Sequence, residues 1–257
     1  MKIKQTAWTI LFLCILTFSI HAHAADANMI FWYPGEAGST TEAQPVLDIF
    51  FEYVNKRIAP AKLEGNYFNS VESGIKFIKS KKPILGIISY SAYVQNKDLF
   101  NNAKALLATI TNNSGGKTER YSLVGMGTDC SAGIISSEPF SIEFTRNNLF
   151  PQLPADTTTK HVDQIIFELR KISEGTANSC AILTPTEAAT LKRMSSPWAK
   201  KIKFISESEA VPTARLLLLS QSWDGTEKIK NTLIAMDKDE EGREILSELR
   251  LKGFINP

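Results

Sequence analysis

The stretch that decides the fold is Phe204-Ile205-Ser206-Glu207-Ser208-Glu209-Ala210-Val211-Pro212, followed by the apolar run 214–219 and two helix-like segments that end near Phe254. Residues 216–219 are too apolar for a surface strand and too few for a helix, which predicts a strand buried on both faces. Behind Asp224-Gly225, the segment 226–236 spaces Ile229, Leu233 and Met236 as one face of a helix. The segment 240–251 repeats the pattern with Ile245, Leu246, Leu249 and Leu251, and Gly253 is the expected C-terminal cap.

Working outward to the start of the chain, residues 1–24 have the form of a secretory signal. Lys2 and Lys4 precede an apolar stretch at 7–20, and Ala22-His23-Ala24 supplies a small-x-small cleavage pattern before Ala25. The apolar stretch is shorter than the roughly 20 residues a membrane span needs. Removing the two lysines of this segment from the 29 basic residues leaves 27, against 27 acids. A neutral mature chain carries no electrostatic footprint for nucleic acid or a membrane surface. Cys130 and Cys180 are the cysteines that remain; export makes a disulfide an open expectation, with two separate thiols as the alternative.

Strands and helices alternate through the first half. Residues 29–33 read as a strand, and Ser39-Thr40-Thr41-Glu42 fits a capping box. The following helix would use Val46, Ile49, Phe50, Tyr53 and Val54 as its apolar face. Residues 63–68 and 84–89 read as strands around a helix at 70–79, and Tyr90-Ser91-Ala92-Tyr93 opens a short helix. This alternation predicts a mainly parallel sheet covered on both faces, with ligands beyond the carboxyl ends of the strands. Residues 105–111 and 121–126 flank the turn-rich Asn112-Asn113-Ser114-Gly115-Gly116 and read as a hairpin. Beyond them come helices at 141–149 and 159–174 and a strand at 180–183. Thr184-Pro185-Thr186-Glu187 starts another helix with a capping box and a proline in its first turn.

The tail elements Glu207-Ser208-x-x-x-Pro212, Met236-Asp237-x-Asp239-x-Glu241-Gly242-Arg243-x-Ile245-Leu246 and Lys252-Gly253-Phe254 resemble the end of periplasmic solute-binding proteins of the phosphonate, phosphate and phosphite transporter type. The resemblance implies an α/β, two-lobed type II periplasmic-binding-protein-like fold with crossing strands as a hinge. Lobe 1 would comprise residues 25–126 and 213–257, and lobe 2 residues 127–212. It further implies a periplasmic monomer that takes a small ligand, without cofactor or metal, and meets a membrane permease. The alternative within the same fold is a module that regulates a membrane sensor protein.

Catalysis finds little support. His161 is the histidine left after cleavage of the signal, and no nucleophile elbow, zinc-protease or paired-cysteine motif is present. Binding finds more. Hydroxyl residues recur at expected helix starts facing the cleft: Ser39, Thr40 and Thr41, then Ser89 and Ser91, then Ser141, then Thr184. Helix N-termini with added hydroxyls suit an oxyanion such as phosphate or a phosphonate, although hydroxyls at such positions also cap their own helices. Trp32, Tyr33 and Tyr90 follow strand ends where rings could close on a ligand. The region matching the relatives' anion loop reads Ser136-Ser137-Glu138-Pro139-Phe140-Ser141-Ile142-Glu143. It retains one serine between two carboxylates, which would oppose an anion unless Arg146 pairs with them.

Overall fold

The computed structural model describes residues 27–257 except Ala37, Gly115 and Asp129. The expected signal segment 1–24 and the cleavage point before Ala25 lie outside the described residues. Among the described residues, no helix is long and apolar enough to cross a membrane.

The first half begins with β1 (Ala27–Trp32), α1 (Thr40–Ile58), β2 (Leu63–Phe68), α2 (Val71–Lys81), β3 (Leu85–Ile88), α3 (Tyr90–Gln95) and β4 (Lys104–Thr111). The tail returns to it with β12 (Arg215–Leu218), α7 (Thr226–Ala235), α8 (Glu240–Glu248) and β13 (Leu251–Ile255). These strands form a six-stranded sheet in the order β13-β4-β12-β3-β1-β2. β1 runs parallel to β2 and β3, with Trp32 opposite Phe68 and Met29 opposite Leu85. β12 is antiparallel to both neighbours, Leu216 lying opposite Ile87 and Leu107.

Strand alternation divides the core. Met29, Phe31, Leu85, Ile87, Leu216 and Leu218 meet α1, α7 and α8 through Phe50, Tyr53, Ile229, Leu233, Ile245 and Leu246. Ile30, Trp32, Ile88 and Leu217 face the other way, onto Ala92 and Phe100 and the apolar stripe Val71, Ile75 and Ile78 of α2. Trp32 therefore lies under α2. Its indole packs against Gly74, where an added Cβ would fall 2.2 Å from Nε1, and its Nε1 donates to the Ser70 carbonyl at 3.0 Å.

The second half contains β6 (Ser122–Gly125), β7 (Ile134–Ser136), α4 (Ile142–Phe144, continued by a wide turn over Thr145–Leu149), β8 (Thr159–His161), α5 (Ile165–Ser173), β9 (Cys180–Leu183), α6 (Pro185–Arg193) and β10 (Lys203–Glu207). Its five strands run β10-β6-β9-β7-β8. Cys130 and Cys180 are joined, with Cα atoms 5.2 Å apart, and tie the approach to β7 onto β9. Two short strands, β5 (Thr118–Glu119) and β11 (Val211–Pro212), pair antiparallel where the chain crosses between the halves.

Four readings change. The hairpin expected from 105–111 and 121–126 does not form, because β4 is already paired on both edges by β12 and β13. The second of those segments, assigned to lobe 1 by the sequence, supplies β6 of the second sheet, so the crossing falls at Thr118–Glu119. The helix expected from 159 starts at Ile165, because Thr159–His161 pairs with β7. In the tail, α8 stops at Glu248 and Arg250 turns the chain at φ 57°, so Gly253 sits inside β13 rather than at a cap.

Candidate ligand-binding cleft

The crossing strands and facing ends of both sheets enclose a cavity of about 70 Å³, room for a few water-sized groups. From the first half come Tyr33 and Glu36 after β1, Ser89 ahead of α3, and Thr111 at the end of β4. The crossing supplies Glu119 and Tyr121, and the second half supplies Glu138, Thr184 and Thr186. A wider groove of about 370 Å³ shares Glu119 and Pro185 with it and runs out past Arg120, Ser122, Lys192 and Glu207.

Glu138 is the junction of the two halves. Its carboxylate accepts from Ser91 Oγ at 2.7 Å, across the cleft, and from Tyr121 OH at 2.9 Å. The residue is 8% exposed. Further contacts hold the halves together beside it. Ser141 N donates to Gln95 Oε1 at 2.7 Å, and Tyr90 OH donates to Asn148 Oδ1 at 3.2 Å. Asn113 Nδ2 donates to Thr186 Oγ1 at 3.2 Å. Gly35 permits the closest approach: it has φ +85°, and a Cβ there would stand 2.2 Å from the Ser137 carbonyl oxygen.

The electrostatics are acidic. Burial pushes the Glu138 carboxyl up to about 8; its two hydroxyl donors pull it down, and Glu119 and Glu36 add to the rise. Glu119 is pushed up to about 7, chiefly by burial and then by Glu36. Its residue surface is half-buried while its carboxyl lies deep among protein atoms, and the carboxyl's setting is what governs ionisation. Burial also raises Tyr33 and Tyr121, with Glu36 and Glu138 respectively as the next causes. Lys, Arg and His are absent from the residues lining the smaller cavity.

Of the residues singled out from the sequence, Tyr33, Ser89 and Thr184 line this cavity, and Ser91 borders it through Glu138. Tyr90 links the halves. Trp32 is core, because the strand's alternation sends it to the face opposite Phe31. Ser39 accepts from Glu42 N within its capping box, Thr40 Oγ1 donates to the Tyr67 carbonyl, and Thr41 is exposed. The hydroxyl oxygens of Ser89, Ser141 and Thr184 likewise accept from their own helices, at Ala92, Phe144 and Glu187. The recurrent hydroxyls thus serve as caps through their oxygen lone pairs, while the O–H of each capping hydroxyl keeps its donor capacity. Sequence reasoning missed Glu36, Glu119, Tyr121 and Gln95; it noted Glu138 only as an obstacle to anions. Among the described residues, no group of three or more His, Cys, Asp or Glu could hold a metal ion.

The sequence matches no protein-family model, and no curated protein matches it. Solved structures do. XAC2383 from Xanthomonas citri, bound to ATP, aligns with TM-score 0.68 at 11% identity, covering 90% of this chain and 91% of that one. PhnD1 from Prochlorococcus marinus, in complex with methylphosphonate, gives 0.61 at 10% identity, covering 90% and 93%. A binding-protein component of a phosphonate transporter from Pseudomonas aeruginosa gives 0.61 at 13% identity, covering 91% and 82%. At these identities the likeness establishes the fold.

Proposed function

The fold is that of the type II periplasmic binding proteins, and from that premise we infer that the protein is a non-catalytic, periplasmic solute-binding protein. It closes two lobes on a small ligand and presents the closed form to a membrane permease of the ABC-transporter class. The observation that carries this reading is the cavity at the crossing strands, to which both sheets and the connection between them contribute polar side chains. Cavities at such junctions are where two-domain binders hold ligands, and hinge closure is their usual response.

A second reading keeps the fold and drops the transport: a module that regulates a membrane sensor protein. It is favoured by one feature, the Ser91–Glu138–Tyr121 contact, which seals part of the cleft with the protein's own groups.

The test is a thermal-shift panel of amino acids, amines, phosphate, phosphite, phosphonates and sulfonates against the mature chain. A ligand present at about a hundred times its dissociation constant adds roughly 2.7 kcal/mol, a shift of several degrees. A shift with one chemical class supports solute binding. A flat panel refutes it and leaves the sensor module as the surviving reading.

A further inference from the structure

Resting on the solute-binding reading, we propose that the ligand is a small organic cation carrying an ammonium or guanidinium group, received by Glu119 between Tyr33 and Tyr121. In this arrangement Glu138 takes the place that an oxyanion would need.

The two inner glutamates differ in what they touch. Glu138 is already satisfied, gripping hydroxyls from both halves of the molecule at 2.7 and 2.9 Å. Those are the donors an incoming anion would use, and the Glu138 carboxyl occupies them. Glu119 differs. It lines both the inner cavity and the outer groove, and its carboxylate has no hydrogen-bond or ion-pair partner among the described residues. A deeply set carboxylate without a partner is costly unless it is protonated or meets a positive group.

Three cationic residues nearby have partners of their own. Arg120 Nη1 donates to the Ser208 carbonyl at 2.6 Å, and Lys192 sits 4.7 Å over the Phe204 ring. Arg250 pairs with Glu36 at 3.8 Å at the surface. Arg215, whose Nε is buried without a hydrogen-bond partner, starts β12 on the strand face opposite Ala214, which lines the cavity. A ligand cation would therefore be the group that balances Glu119. Tyrosines at the same cavity suit the choice, since aromatic faces attract ammonium and guanidinium groups most strongly where water is excluded.

The test is titration calorimetry on the purified protein with methylammonium, butylammonium and guanidinium in one arm, and phosphate and methylphosphonate in the other, each at pH 6 and pH 8. The expected result is binding in the cation arm, roughly tenfold tighter at pH 8, because Glu119 titrates near 7 and must be ionised to bind. Glu119→Gln should weaken that binding at least tenfold at pH 8 and reduce its pH dependence to the part that Glu138, which titrates near 8 in the same cavity, supplies. Binding confined to the anion arm, or cation binding that survives E119Q unchanged, overturns the proposal while leaving the solute-binding reading intact. Should neither arm bind and the wider thermal-shift panel also stay flat, the solute-binding reading falls and this inference falls with it.

Discussion

Glu138 makes the stability of the ligand-free protein run against the usual acid dependence. Its carboxyl moves from an ordinary 4.5 to about 8 on folding. Between those values the folded state holds a proton that the unfolded state has released, so stability falls as pH rises through the window. Evaluated between pH 5 and pH 7, this one group accounts for a loss on the order of 2–3 kcal/mol. Glu138→Gln keeps the shape and removes the titration. Urea unfolding of both proteins at half-unit steps from pH 5 to pH 8 gives two curves, and their difference reports Glu138 together with its coupling to Glu119 and Glu36. The difference should shift by roughly 2–3 kcal/mol in favour of the variant from pH 5 to pH 7. Parallel curves would refute the reasoning: they would mean that Ser91, Tyr121 and water solvate the carboxylate as well as bulk solvent does.

Other substitutions test other parts of the structure. Gly35→Ala should force the two halves apart, since its Cβ would overlap the Ser137 carbonyl and its φ is left-handed; a larger radius of gyration by small-angle scattering would show it. Reducing the Cys130–Cys180 bond, which closes a loop with a sequence separation of 50, should cost about 4 kcal/mol in urea unfolding. Gly74→Ala should lower stability by about 1–3 kcal/mol despite better helix propensity, because the buried Trp32 indole cannot retreat. Ser39→Ala should cost about 1 kcal/mol as a lost cap and leave ligand affinity unchanged.

Local rules carried far in this sequence, and they failed where distance entered. The capping boxes at Ser39–Glu42 and Thr184–Glu187 form as read, because a cap is a contact over three residues. The buried strand Arg215–Leu218 was legible from its leucines. In α1 the apolar face was drawn one step off: Ile49 is 54% exposed, while Leu47 and Phe51 are buried. With apolar residues nearly all round the middle of that helix, spacing alone could not choose the stripe; α7 and α8 did. The cleft was the least legible part. Hydroxyls announced themselves through their helix starts, where their oxygens act as caps, and a cap looks the same in sequence whether or not its O–H also meets a ligand. Glu36, Glu119 and Glu138 come together only through the crossing of two halves, and nothing local in a glutamate says that its carboxyl will be buried.

The placement of β12 also bears on the order in which the molecule can assemble. The strand stands between β3 and β4, in the interior of the first sheet, yet it is synthesised after the whole second sheet. Everything from β6 to β10 is contiguous and can complete itself, disulfide included, while the earlier strands wait with an unfilled gap at their centre. Long-range pairing of this kind is slow, so the first strands to leave the ribosome are among the last to find their partners. A chain cut short before residue 215 would lose the middle of its larger sheet, not merely an edge.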